Sequence, residues 1–349
     1  AEMVSLWRFF IDEGRREAER IYDILDVHFD EFLGESFFAD KLEDVVELYQ
    51  KAGLAEESDG ALIVRLDGDG DGEDIPVPCM LRTSNGTSTY HSRDIAALLH
   101  RHEKYGFDRL VYVTDMRQIL HFRQIFKALK LLGVDWIGGA SHAPFGMMSF
   151  QGEAIATRSG NIVLLEDVLE KAIELTADII DEKNPDLKGK AEVARQVGIS
   201  AVIFADVSSR RARDIVFDLN EMLRFDGETG PYIQYTHARF CSILRKHDQP
   251  ADPMADLSML GQLAEMRVAR QLEEFPRQLE SACDESEPSY IASSLIDLAT
   301  AANKFYNELP VLVGEDQVLV QARVVLVDCV RTVLRTGLSL LGMKAPEEM

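Results

Sequence analysis

The chain has 349 residues, of which 46% are hydrophobic and 28% charged, and its 60 acidic against 37 basic residues give a formal net charge of −23. At about 150 residues per domain this length predicts two or three domains with sizeable cores, and the apolar content excludes disorder as the main state. The acid excess argues against a general polyanion binder and against electrostatic docking on anionic membranes, because both need clustered Lys and Arg. No apolar run approaches the ~18–20 residues of a membrane span. The opening AEMVSLWRFFIDEGRREAER carries early acids and no small-residue cleavage site, so it does not read as a signal peptide. Cys79, Cys241, Cys283 and Cys329 lie far apart with no C-x-x-C pair. That spacing predicts buried thiols in a reducing cytoplasm rather than a disulfide framework or a zinc site.

Along the chain, residues 3–30 carry apolar side chains at three- and four-residue steps (Leu6, Phe9, Phe10, Ile21, Ile24, Leu25) and predict a helix. Residues 39–53 predict a second, stopped by Gly53. ALIVRL (61–66) and PVPCMLR (76–82) predict two strands of a hairpin around DGDGDGED. LDGDGDGED (66–74) imitates the first half of a Ca²⁺ loop with Asp67, Asp69, Asp71 and Gly72, but Pro78 stands where the loop needs its closing Glu, so it reads as an acidic hairpin tip. SRDIAALLHRHEKYG (92–106) predicts a helix ending at Gly106, RLVYVTD (109–115) a buried parallel strand, and HFRQIFKALKLLG (121–133) an amphipathic helix ending at Gly133. Strand, helix and strand within 61–150 suggest half of an open α/β sheet. After about residue 162 the pattern turns helical, with stretches at 255–281, 287–308 and 316–342 forming a bundle of about 120 residues. The fold class is therefore multi-domain, α/β followed by all-α.

Two stretches go beyond class-level reading: DLNEMLRFDGETGPYIQYTHARFCSILRK (218–246), and LIDLATAANKFYNELPVL (295–312) together with the terminal LLGMKAPEEM (340–349). They resemble the arginyl-tRNA synthetases, class I enzymes with a helical anticodon-binding domain. The resemblance continues through SLWRFFIDEGRREAERIYDILDVHFDEFLGES, LRTSNGTSTYHSRDIAALLHR, LHFRQIFKALKLLG and HAPFGMM, and it covers essentially the whole chain in order. It implies a partial Rossmann catalytic domain followed by an α-helical anticodon-binding bundle. Residues 1–80 would be the connective part of the catalytic domain, 81–165 its second Rossmann half, 166–230 a helical region against the tRNA stem, and 231–349 the anticodon-binding domain. The family's N-terminal tRNA-contacting domain and its His-x-Gly-His phosphate motif have no counterpart in this sequence. The expectation is a fragment of a longer enzyme, with a natural paralog lacking the ATP-binding front as the alternative.

Tyr90 and Asp94 stand four apart in TYHSRD, which on a helix puts both on one face, about 5–6 Å apart between Cβ atoms. A carboxylate beside an aromatic ring suits a guanidinium, which the acid takes as a bidentate pair and the ring takes by its flat face. On residues alone this signal is weak, and a surface Asp with a half-buried Tyr is the better reading. The resemblance implies that Tyr90 and Asp94, with Gln118 after the strand RLVYVTD, form the arginine pocket, and that His142, Phe145, Gly146 and Met147 lie against adenine. In FQGEAIATRSGNIVLLEDVL (150–169) the family's KMSKS-type loop has lost both lysine positions, to Ala154 and Ser159, and retains Thr157, Arg158, Gly160 and Asn161. Thr157 and Arg158 are implied to act on the phosphates, and Gly160 and Asn161 to bind ATP; the bland alternative is a polar loop before a helix.

SSRRARD (208–214) is the sharpest basic cluster, and residues 207–246 hold seven cations against five acids within an acidic chain. A local reversal of sign suits a phosphate-contacting face, although pairing with neighbouring acids would also account for it. The resemblance sets Arg210, Arg211 and Arg213 against the inner side of the tRNA. It also brings Tyr306 and Met349 to the anticodon loop, where an aromatic stacks an unpaired base, with ordinary bundle core as the alternative for Tyr306. Together these readings imply ATP-dependent activation of arginine to arginyl-adenylate and its transfer to the 3′ end of tRNA(Arg). Mg²⁺ accompanies ATP as co-substrate, with no bound organic cofactor, no membrane and no DNA partner, and the cytoplasmic protein is expected to be a monomer. The alternative is a catalytically inactive synthetase-like paralog that binds arginine or RNA.

Overall fold

The computed structural model describes residues 2–67, 74–150, 153–154 and 164–349. They fall into two compact units, Phe29–Gly146 and a second made of Ala1–His28 with Met147–Met349.

In the second unit α1 (Glu2–Leu25) opens the chain and carries no buried residue. Its last turn packs Ile24 and Leu25 on a small core around Leu169 and Ala172, and Arg20 pairs with Glu166. The helix stops short of the expected residue 30 because Asp26 turns left-handed, with φ of 57°.

The unit Phe29–Gly146 begins with a 3₁₀ segment, Glu35–Lys41, which leads into α2 (Leu42–Lys51). Strands β1 (Ala55–Ser58), β2 (Ala61–Leu66) and β3 (Ile75–Arg82) form an antiparallel sheet in that order, with Leu66 opposite Ile75 across the expected hairpin. The strand β1, AEES, is too polar to announce itself. The hairpin's tip, 68–73, falls outside the described residues. A Thr89–Ser92 capping box starts α3 (Tyr90–Tyr105) and left-handed Gly106 ends it. Then β4 (Leu110–Asp115), α4 (Ile119–Leu131) and β5 (Ala140–Phe145) form a β–α–β crossover in which β4 and β5 pair in parallel, Tyr112 opposite His142. Gly139 lets the chain enter β5, since a Cβ there would stand 2.3 Å from the Asp108 carbonyl oxygen. One core joins both sheets to the three helices through Tyr49, Leu66, Ile75, Leu81, Ile95, Leu98, Ile125 and Leu129. The α/β pattern is confirmed, but β4 is half-buried rather than buried: Val113 is 66% exposed. Among the described residues β4 has a single β neighbour, β5.

The second unit resumes with β6 (Met148–Phe150), which pairs with β7 (Glu153–Ala154) and, in parallel, with β8 (Ile215–Phe217). Helices α5 (Leu165–Lys183) and α6 (Lys190–Val207) cross closely at Gly198. There a Cβ would come within 2.8 Å of the Ile173 backbone nitrogen. After the short α7 (Leu219–Met222) comes the expected bundle: α8 (Gly230–His247), α9 (Leu263–Glu285), α10 (Ser289–Glu308) and α11 (Gln317–Leu340). Its core holds Ile233, Phe240, Val268, Leu295, Phe305, Val327, Val330 and Leu334. A buried Arg323–Glu265 pair at 2.7 Å ties α11 to α9, and Arg323 also donates to the Pro310 carbonyl at 2.8 Å. The stretch expected from 255 is helical only from Leu263, because Asp256 caps a separate 3₁₀ turn, Leu257–Met259.

Candidate functional site

Tyr90 is the first residue of α3 and Asp94 lies one turn further along the same face. The Tyr90 ring is 67% exposed, and the Arg93 guanidinium sits 5.6 Å from its centroid. Gln118 closes a 3₁₀ turn, Met116–Gln118, directly after β4, and is the N-cap residue of α4. It therefore stands at the carboxyl end of a parallel strand, where open α/β sheets receive ligands. One turn into α4, His121 donates from Nε2 to Asp94 Oδ2 at 2.6 Å. The carboxylate thus has a fixed orientation between α3 and α4.

A polar cluster surrounds that pair. Gln124 donates to the carbonyls of Val77 and Pro78 at 3.0 and 2.9 Å, which turns its oxygen toward His91. His91 Nε2 must therefore donate to Gln124 Oε1, at 3.1 Å. The His91 ring lies 4.7 Å from that of His121. Burial, opposed by the Gln124 bond and helped by the His121 charge, holds His91 below its ordinary pKa. Tyr112, pushed up to about 12 by burial, accepts from Arg101 at 2.6 Å. A carboxylate fixed by an imidazole and flanked by a phenol one turn away is an arrangement able to receive a planar cation.

His142 stands on β5, its Nε2 2.8 Å from Thr114 Oγ1 and its ring stacked 4.5 Å from Phe122. Phe145 ends β5, half exposed, with Gly146 next. Met147 belongs to the other unit, where its backbone N–H donates to Asp214 at 2.7 Å. Thr157, Arg158, Gly160 and Asn161 lie outside the described residues.

Arg210 and Arg211 are engaged within the chain. Arg210 pairs with Glu285 at 3.3 Å and lies 4.5 Å from the Tyr290 ring centroid. Arg211 donates from Nε to the Ser286 carbonyl and from Nη2 to the Glu285 carbonyl at 3.1 and 3.2 Å, which places a cation on the carboxyl end of α9. Arg213 is exposed, and its backbone N–H closes a turn on the Arg210 carbonyl.

Tyr306 and Met349, far apart in sequence, line one cavity of about 350 Å³ together with Tyr235, Arg239, Arg245, Lys246 and Glu348. The Arg239 guanidinium lies between two rings, 4.7 Å from the Tyr235 centroid and 4.9 Å from that of Tyr306. It also donates to the Asn303 oxygen. Asn303 is aimed in turn by its own bond to Thr236 at 2.7 Å. Arg245 is engaged with Glu348 at 3.3 Å and with the Glu347 carbonyl at 3.1 Å, so the outer faces of the two rings and Lys246 are what the exposed opening offers to a base and its phosphate. At 41% exposed, Tyr306 is not core. Sequence reasoning counted Arg239 only among the seven cations of 207–246 and singled out neither Tyr235 nor His121; the signal for Tyr235 with Arg239 is their i,i+4 spacing in YTHAR, and for His121 there is none without the α3–α4 contact.

The chain matches two family profiles in succession: "tRNA synthetases class I (R), catalytic domain" over residues 1–219, and "DALR anticodon binding domain" over residues 233–349. It is 44% identical over 348 residues to arginine–tRNA ligase 1 of Bacillus thuringiensis, covering 100% of this chain and 60% of that protein. It is 43% identical over 350 residues to the arginine–tRNA ligase of Clostridium kluyveri, covering 61% of it. The solved arginyl-tRNA synthetase of Thermus thermophilus superposes with a TM-score of 0.85 at 30% identity, over 97% of this chain and 64% of that one. The chain thus spans about three fifths of the length of its curated relatives. Within that span the catalytic profile and the anticodon-binding profile follow one another as they do in the fold, and the chain belongs to the arginyl class I tRNA synthetases.

Proposed function

We propose that the protein to which this chain belongs is an arginine–tRNA ligase that works in the cytoplasm. The observation that carries this reading is the 43–44% identity to arginine–tRNA ligases over the whole chain. In the first step the arginine carboxylate attacks the α-phosphate of ATP and pyrophosphate leaves, with Mg²⁺ accompanying the nucleotide. In the second, a ribose hydroxyl at the 3′ end of tRNA(Arg) takes the arginyl group and AMP leaves. The enzyme's part is positioning and charge stabilisation, without a covalent enzyme intermediate. Asp94, held by His121, receives the guanidinium, with Tyr90 on its flat face and Gln118 at the strand end. His142, Phe145, Gly146 and Met147 pack the adenine, and Thr157, Arg158, Gly160 and Asn161 serve the phosphates.

Residues 231–349 read the anticodon through the cavity of Tyr235, Arg239, Tyr306 and Met349, and 166–230 face the tRNA stem. Because Arg210 and Arg211 are tied to α9, Arg213 is the cation of that cluster best placed to meet a phosphate. Pyrophosphate exchange on the full-length protein, with arginine, ATP and tRNA(Arg), tests the reading. Exchange that depends on arginine supports it, and none with all three present overturns it.

A further inference from the structure

Helix α8 shows two adjacent faces with separate tasks. One carries Tyr235, Arg239 and Lys246 into the cavity. The other carries Gln234 and His237, both buried, each with one nitrogen on a backbone carbonyl, while His237 Nε2 lies 3.6 Å from the Cys241 Sγ. Gln234 Nε2 donates to the Lys344 carbonyl at 2.7 Å, and His237 Nδ1 donates to the Pro346 carbonyl at 3.0 Å. A carbonyl can only accept, so Nδ1 carries the proton. Beyond these bonds the strap 344–349 continues to Met349, whose carbonyl receives Asn184 at 3.1 Å and which lines the cavity.

We infer that Gln234 and His237 are positioning residues for RNA recognition: they fix the strap 344–349 on α8 and thereby set Met349 as a wall of the Tyr235–Arg239–Tyr306 cavity. Gln234 argues for this beyond packing. Its side-chain oxygen is buried with no hydrogen-bond partner among the described residues, a cost that a leucine of similar size would avoid. The residue is explained by its donor, and its donor goes to the strap. Because recognition needs its wall held in place before the ligand arrives, loosening the strap costs affinity without removing any group that touches RNA.

The inference rests on the RNA reading of the cavity, and its test separates the two. The full chain is titrated with an anticodon stem-loop of tRNA(Arg), and the order of the Met349 methyl is followed by ¹³C relaxation. His237→Ala and Gln234→Leu are each expected to loosen that methyl and weaken the stem-loop about tenfold, the usual loss for one buried hydrogen-bond partner. His237→Asn, which returns a donor near the Nδ1 position, restores most of both. Combined with Met349→Gly, His237→Ala is expected to add little to the loss of affinity, because the two changes remove the same wall. An unchanged Met349 methyl in His237→Ala and Gln234→Leu overturns the strap assignment. A loosened methyl with unchanged affinity, or full additivity with Met349→Gly, overturns its link to recognition. If the native chain does not retain the stem-loop at all, the RNA reading of the cavity falls, and with it the positioning role, while the Met349 methyl still decides whether these two side chains hold the strap.

Discussion

Asp94 gains its meaning from one imidazole. A carboxylate half open to water on a helix surface samples several rotamers, and each lost rotamer costs entropy when a ligand arrives. The 2.6 Å bond from His121 meets that cost in advance. Replacing Asp94 with Ala in the intact protein should raise the KM for arginine at least about tenfold, in line with the roughly 1.5–3 kcal/mol of a hydrogen bond to a charged group. Arginine-dependent pyrophosphate exchange measures it, and a KM within about threefold of native would remove Asp94 from the pocket. His91 makes a pH prediction. Its folded-state pKa lies below the ordinary 6.5 because burial disfavours the charged form. As pH falls through that value the unfolded chain takes up the proton first, so stability is lost on acidification and is fully present above it. The urea midpoint of Phe29–Gly146 should therefore fall between about pH 7.5 and about pH 5.5. In His91→Gln, which keeps a donor for Gln124 without a titrating ring, the fall should be shallower. Equal pH slopes in the two proteins would show that His91 does not report this environment.

At the scale of elements, helix contacts decide what the local pattern leaves open. The α5–α6 crossing needs Gly198, whose missing Cβ leaves room for the backbone of Ala172 and Ile173 at 2.8–2.9 Å. Gly198→Ala gains helix propensity but overpacks the crossing, and a net loss of about 1–3 kcal/mol is expected in chemical denaturation. A neutral or stabilising result would mean the two helices can part at no cost. The periodicity of α3 and α4 is plain in the sequence, whereas the caps at Thr89 and Thr229 show only in the structure. Which turn of α3 meets which turn of α4 is not plain in the sequence, because the residues that bond across them, Asp94 and His121, are 27 positions apart. For the same reason the spacing of Tyr90 and Asp94 could be read directly while the imidazole behind them could not.

For the whole chain, charge sets the behaviour. At −23 the chain repels RNA at long range, and Arg239, Arg245 and Lys246 against the single carboxylate side chain of Glu348 leave the cavity lining positive. Stem-loop affinity should fall with salt, and Lys246→Ala should reduce the slope of log K against log salt by about one. Filter-binding titrations at several salt concentrations provide the check, and an unchanged slope would remove Lys246 from the phosphate path. The amino-acid sequence by itself determined the main helices, the β2–β3 hairpin and β4, the order of α/β part and bundle, and the family, because periodicity, glycine stops and motif order are properties of neighbours along the chain. Only the tertiary structure decided that Arg210 and Arg211 answer to α9, that Tyr235 and Arg239 join Tyr306 and Met349, and that His121 orients Asp94. Each of these depends on groups distant in sequence meeting within a few ångströms, and local pattern carries no information about which distant partner a side chain will find.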